Sequence, residues 1–135
     1  MLAEGGEKMK LNYDCLRQLL LALEETSFID DDLNYECSSF HEINEYIPDF
    51  QQNEIAYTTI LAEEAGLIIA SVIDADDGFV DCTYYRLTFE GHQFLDTIRD
   101  NSVWSKVKRS ISKVSSVSLD ILISVAKDVI KSTIL

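Results

Sequence analysis

Residues 57–99 constrain the fold more than any other part of the chain, because helix and strand patterns alternate there with sharp turns between them. A helix-like run ends at Gly66, which can take the left-handed conformation that terminates helices. Residues 67–73 are rich in β-branched side chains, which favour a strand. Asp77 and Gly78 predict the centre of a tight hairpin turn with positive φ at both positions. The returning strand then spans residues 79–87.

A second helix follows the hairpin. The segment before residue 57 adds two more helices and a short strand. Thr88 is a preferred N-cap for a helix that runs to about residue 99, and Asn12 is one for a helix over residues 13–25. Ser39 and Glu42 have the spacing of a capping box, so a helix starts there and stops before Pro48. Residues 33–37 alternate apolar and polar side chains, which predicts a third strand beside the hairpin.

The order helix, short strand, helix, helix, strand, strand, helix predicts an α+β winged helix-turn-helix with a small antiparallel sheet. Residues 54–65 then occupy the position of the recognition helix, and residues 74–81 form the wing. We divide the chain into a flexible N-terminal arm (1–9), an acidic winged-helix domain (10–101) and a basic, amphipathic helical extension (102–135). Within the extension we expect helices over 102–114 and 119–134, the second capped by Ser118.

Charge is distributed unevenly along the chain, whose net charge is −13. Residues 1–101 contain 5 Lys and Arg against 22 Asp and Glu, a net charge of −17. Residues 102–135 contain 6 Lys and Arg against 2 Asp, a net charge of +4. Such asymmetry favours a basic segment that either folds onto the acidic body or is offered to an anionic partner.

Several sequence segments resemble a small family of phage- and bacteria-encoded proteins that is catalogued as a domain of unknown function. They are KLNYDCLR at 10–17, IAY at 55–57 leading to EAGLI at 64–68, RLT at 86–88, GHQFLDTIRD at 91–100 and VWSKVK at 103–108. The similarity covers roughly residues 9–110. It implies a winged helix and a phage or prophage origin, but no established activity and no functional residues to carry over.

The charge pattern disfavours DNA binding by the usual winged-helix face. Phosphate neutralisation by Lys and Arg supplies most non-specific DNA affinity, and the predicted recognition helix contains neither. We therefore predict a protein-interaction module, for example one that inhibits a host nucleic-acid-binding or defence factor by presenting a DNA-like acidic surface. The candidate partner contacts are Glu54, Tyr57, Thr58, Glu63, Asp76, Asp77 and Phe79.

Alternatives concern the C-terminal extension. A DNA-binding regulator could use the basic segment, with Lys106, Lys108, Arg109 and Lys113 as the contacts. Trp104 beside these cations resembles an interfacial membrane segment. The last helix fits equally well as a dimer seam or as a strap over the domain, and we favour dimerisation over membrane binding. The candidate seam residues are Leu119, Leu122, Ile123, Ala126, Val129 and Ile130.

The sequence gives little support for catalysis. His41 and His92 have no nucleophile or ligand at a recognisable spacing, and the three cysteines are widely separated. We predict no catalytic residues, no cofactor and no metal site. The odd number of cysteines, together with the absence of a secretory signal or a long apolar run, predicts a cytoplasmic protein with reduced thiols.

Overall fold

The computed structural model describes residues 9–135 and has an α+β fold with six helices and two small antiparallel sheets in that range. The helices are α1 (Tyr13–Thr26), α2 (Phe40–Tyr46), α3 (Gln52–Glu64), α4 (Phe89–Ile98), α5 (Asn101–Ile111) and α6 (Leu119–Ile134). The strands are β1 (Phe28–Ile29), β2 (Tyr35–Glu36), β3 (Ser38–Ser39), β4 (Ile68–Ala75) and β5 (Gly78–Leu87). Apart from Met9, the predicted N-terminal arm lies outside the described residues.

Side-chain caps fix the helix starts, as the sequence predicts. The side chains of Asn12 and Thr88 accept hydrogen bonds from the backbone N–H groups of Cys15 and Gly91. Ser39 and Glu42 form the reciprocal capping box, with distances of 3.1 and 2.8 Å. These bonds satisfy donors that have no partner within a helix. The predicted helix boundaries are therefore confirmed to within a few residues.

The hairpin of β4 and β5 forms the larger sheet, and β3 lies on the other side of β5 to give the order β3-β5-β4. The prediction that residues 33–37 supply the third strand is wrong, because that role belongs to β3. Tyr35 and Glu36 pair instead with β1 in a separate ribbon. The carboxylate of Asp30 accepts 2.9 Å hydrogen bonds from the backbone of residues 32 and 34 and turns the chain back on itself.

Two irregularities in the hairpin change which side chains face the core. The pairing skips Tyr85, so Leu87 and Tyr84 both point inward although strict alternation would separate them. At the tip, Ala75 pairs with Gly78, which puts Asp76 and Asp77 at the centre of the turn. The hairpin turn is therefore within residues 76–78, as predicted, but its centre is one residue earlier than expected and neither Asp77 nor Gly78 has the predicted positive φ. Gly66 does have the expected left-handed conformation, with φ of 77°.

One hydrophobic cluster includes side chains from the sheet and from all six helices. At its centre the hydroxyl groups of Tyr84 and Thr59 are 2.7 Å apart, so both buried groups have a hydrogen-bond partner. The guanidinium of Arg17, although largely buried, donates to the carbonyl oxygens of Ile98 and Arg99 at 2.8 and 2.6 Å. These bonds join α1 to the end of α4.

The two C-terminal helices pack on the rest of the chain. Trp104 of α5 is 4% exposed and donates its indole N–H to Asp14 of α1 at 2.8 Å. Helix α6 packs against α5 and α4 and buries Leu122 and Ala126 completely. Across residues 9–135, no helix combines the length and the apolar character that a membrane span requires.

Candidate functional site

A groove of about 510 Å³ lies between α3 and the outer half of β5. Its size is within the range of ligand-binding clefts. Five residues of α3 form one wall, and the start of α2 and β5 form the other. The lining residues are Met9, Phe40, Gln52, Asn53, Ala56, Tyr57, Ile60, Phe79 and Val80.

Side-chain contacts fix both walls of the groove. The rings of Phe40 and Phe79 lie with their centroids 4.7 Å apart and tilted by 56°, which anchors β5 to the start of α2. On the opposite wall, the carboxylate of Glu54 accepts a hydrogen bond from the backbone N–H of Gln51 and fixes the first turn of α3. Its other oxygen accepts a 3.0 Å bond from the side chain of Asn12.

The groove is neutral inside and acidic around its rim. None of the described residues that line it is charged. Glu63 and Glu64 are exposed about one turn beyond Ile60 at the end of α3, and Glu64 lines a different cavity beside Leu61. Asp76 and Asp77 are exposed at the hairpin tip, close in sequence to the lining residues Phe79 and Val80. The surface therefore pairs apolar side chains with nearby negative charge.

The structure brings some of the predicted partner contacts together and separates others. Tyr57 and Phe79 both line the groove. Glu54 is half-buried and its carboxylate is occupied by the bonds described above, so it has a structural role. Thr58 is 1% exposed and is a core residue, so it cannot be a surface contact. The sequence pattern could have shown this, because Thr58 falls at the helical spacing of the buried face of α3.

Other groove residues were missed from the sequence. Ala56 and Ile60 carry a usable signal, because with Asn53 and Tyr57 they repeat at i, i+3, i+4 and i+7. Phe40 and Val80 carry none. Their place in the groove depends on how β3 and the hairpin pack. The residues next to them in sequence do not indicate it.

Three of the four predicted nucleic-acid contacts lie together on a second surface. Lys106, Arg109 and Lys113 are exposed and line a shallow cavity of about 280 Å³ between α5 and α6. The fourth, Lys108, points the other way and forms an ion pair with Asp14 at 2.9 Å. Partial burial acts to raise the pKa of Asp14, but hydrogen bonds from Trp104 and Lys108 outweigh it and the pKa is lowered. Lys108 is thus committed to holding α5 on α1.

The residues of the predicted dimer seam also fall into two groups, which differ in burial. Leu122 and Ala126 are fully buried within the chain and are closed to another subunit. The remaining seam residues are half-buried against the core: Leu119, Ile123, Val129 and Ile130. Trp104 is buried too, which removes the aromatic side chain on which a membrane segment would depend.

Neither histidine lies in an arrangement that suggests chemistry. His41 is exposed and lies 3.2 Å from Glu45 on the same helix. His92 lines a separate cavity beside Arg86 and Phe89. Within residues 9–135, no group of three or more His, Cys, Asp or Glu side chains is placed to hold a metal ion.

Comparison with known proteins identifies relatives whose function is likewise open. Residues 10–118 match the family described as "Hypothetical protein (DUF2513)". An uncharacterized protein of Haemophilus influenzae is 34% identical over 128 residues, which cover 90% of this chain and 96% of that protein. No solved structure is significantly similar to the chain.

Proposed function

The chain belongs to the DUF2513 family of hypothetical proteins, and we propose that it is a winged-helix protein-interaction module whose partner docks in the groove between α3 and β5. The order α1-β3-α2-α3-β4-β5 and the sheet order β3-β5-β4 support the winged-helix assignment. In that assignment α3 is the recognition helix and the β4–β5 hairpin is the wing.

The observation that carries the proposal is the uncharged, partly aromatic interior of the groove. Protein interfaces draw most of their binding energy from a few aromatic or large apolar side chains in a desolvated centre. Tyr57, Phe79 and Val80 offer such a centre, and among the described residues Val80 is 58% exposed. A partner that inserts an apolar side chain here would bury this surface.

The charge around the groove argues against duplex DNA as that partner. Helix α3 contains no Lys or Arg, the residues that supply most of the affinity for a phosphate backbone. Glu63, Glu64 and the aspartates of the hairpin tip would repel a phosphate backbone. The same charges favour a protein whose contact residues are basic, such as a host nucleic-acid-binding or defence factor. Phage origin and dimerisation through α6 remain predictions.

A matched pair of variants on one hairpin tests the groove. Val80→Lys introduces a charged side chain into the groove wall, and Ile73→Lys makes the equivalent change at a similarly exposed position of β4 that does not line it. We expect wild type and Ile73→Lys to retain the same bacterial protein in quantitative affinity capture, and Val80→Lys to lose it. Retention by both variants, or loss by both, would contradict docking in the groove.

A further inference from the structure

The exposed face of α5 is the strongest concentration of unneutralised positive charge in the described chain. From residue 101 to residue 119 there are four Lys and Arg and no Asp or Glu. We propose that this face binds the phosphate backbone of nucleic acid. We define the basic α5 surface as Lys106, Arg109, Ser110 and Lys113. The inference is independent of the groove, which lies on other elements.

The geometry gathers these side chains on one side of the helix. Lys106 and Arg109 are spaced at i and i+3 on α5, and Lys113 lies two residues beyond its end. All three line the same cavity as the hydroxyl-bearing Ser110 and Ser132. Within residues 9–135, none of the three cations forms an ion pair. In contrast, Arg99 and Lys108 are paired with Glu24 and Asp14. Lys10, Lys127 and Lys131 form no ion pair with a described residue either, so what distinguishes these three cations is that they line one cavity together.

The dimensions of the surface fit consecutive phosphates. Lys106 and Arg109 lie on α5 and Lys113 lies in the turn just after it, so at the helical rise of about 1.5 Å per residue the three cations span roughly 10 Å. One strand of B-DNA carries a phosphate roughly every 3.4 Å along the axis, so about three phosphates fall within that length. Serine hydroxyls commonly add hydrogen bonds to phosphate oxygens. The surface therefore offers one cation for each of about three phosphates.

The composition of the surface favours nucleic acid over an anionic membrane. Interfacial helices insert apolar side chains below the lipid headgroups. The apolar side chains of α5 are all buried against the protein: Val103, Trp104, Val107 and Ile111. Between its cations α5 exposes serines, which contact phosphates but cannot enter hydrocarbon.

Binding to the phosphate backbone does not depend on the nucleotide sequence, and it weakens as the salt concentration rises. The net charge of −17 on residues 1–101 opposes it, so we expect affinity no tighter than the roughly 10⁻⁴–10⁻⁶ M of non-specific complexes. The same repulsion would turn the acidic hairpin away from the nucleic acid. The protein could then hold nucleic acid through α5 while the groove remains open.

The test is fluorescence anisotropy of labelled, mixed-sequence duplex DNA titrated with the full chain at several salt concentrations. For three phosphate contacts, log K should fall against log[salt] with a slope of about −2.7. The variant Lys106→Gln/Arg109→Gln/Lys113→Gln should lose at least tenfold in affinity at low salt. Lys10→Gln/Lys127→Gln/Lys131→Gln removes the same charge at positions outside this cavity and should retain most of the binding.

Each other outcome overturns the proposal. Absence of binding at low salt would do so directly. Equal loss by the two triple variants would mean that only net charge matters. Flotation with phosphatidylglycerol vesicles, without DNA binding, would assign the surface to lipid headgroups. Thermal unfolding of both variants establishes that they are folded, since all six positions are exposed.

Discussion

The indole nitrogen of Trp104 and the carboxylate of Asp14 are joined by a 2.8 Å hydrogen bond between residues that lie 90 positions apart in the chain. The same carboxylate oxygen accepts a 2.9 Å bond from the ammonium group of Lys108. One side chain of α1 therefore positions the whole of α5. This contact also explains why the basic α5 surface faces outward, since Trp104 and Lys108 fix the rotation of the helix.

Replacing Trp104 with Phe should reduce the free energy of unfolding by about 1–2 kcal/mol. The substitution keeps an aromatic ring but removes the hydrogen-bond donor to a charged acceptor. Because Asp14 is partly exposed, the loss of this hydrogen bond costs less than it would in the protein interior. Urea unfolding measures the change. Lys108→Met removes the more exposed partner and should cost less than about 1 kcal/mol. A larger loss for Lys108→Met than for Trp104→Phe would contradict this ranking.

Stability should decline in acid because two carboxylates have lowered pKa values in the folded state. Hydrogen bonds from Arg99 lower the pKa of Glu24, and those from Trp104 and Lys108 lower that of Asp14 despite its partial burial. Each group therefore stabilises the fold fully above its unfolded pKa of about 4. That contribution is lost as the pH falls through the lower, folded value.

The pH dependence can be assigned with one substitution. Glu24→Gln cannot titrate, so its unfolding free energy should change less than that of wild type between about pH 5 and pH 3. Because the pair with Arg99 is partly exposed, we expect the difference to be under about 1 kcal/mol. Urea denaturation across that range provides the measurement, and parallel pH profiles for the two proteins would rule out the assignment.

Gly91→Ala should destabilise the protein by about 3 kcal/mol or more. Alanine usually improves a helix by roughly 1 kcal/mol, but a methyl group on Gly91 would overlap the backbone carbonyl of Leu67. Backbone cannot move aside as a flexible side chain can. Gly78→Ala is the matched control, because a methyl group there meets open space and should change stability by less than about 0.5 kcal/mol. Similar melting temperatures for both variants would contradict the close approach.

The three cysteines should differ sharply in reactivity. Cys37 is exposed, whereas Cys15 and Cys82 are buried. Burial raises the pKa of both interior thiols, that of Cys82 to about 12, and only the thiolate reacts. An aromatic disulfide reagent should therefore modify one thiol quickly in the native protein and three in denaturant. Cys37→Ser should abolish the fast phase, and a second fast thiol would show that an interior cysteine is accessible.

The helices could be predicted from the sequence because each signal is local. Ser39 with Glu42, and Thr88 with Gly91, lie within one turn of each other, so the residue types alone indicate the cap. Helical spacing also indicates the direction in which Lys108 points. It places Lys108 beside Trp104 at i+4, away from the side of α5 that carries Lys106 and Arg109.

The groove could not be predicted because its walls meet through tertiary packing. Phe40 and Phe79 are 39 positions apart, and their contact depends on β3 pairing with β5 two residues before α2 begins. The irregular pairing at Tyr85 likewise reverses the inward face of the strand without any Gly or Pro to mark it. Neither local propensity nor alternation contains this information.

Thr88, just after the hairpin, is hydrogen-bonded to the residues just before it. Its backbone N–H donates to the carbonyl oxygen of Leu67 at 3.0 Å, and its hydroxyl donates to that of Gly66 at 2.5 Å. The chain therefore leaves and re-enters the body of the protein through adjacent peptide groups. Paired residues could be inserted or deleted at the tip without altering this closure, since lengthening a closed loop costs little entropy. A longer or shorter hairpin would change the depth of the groove, which Phe79 and Val80 line, while the scaffold stays the same.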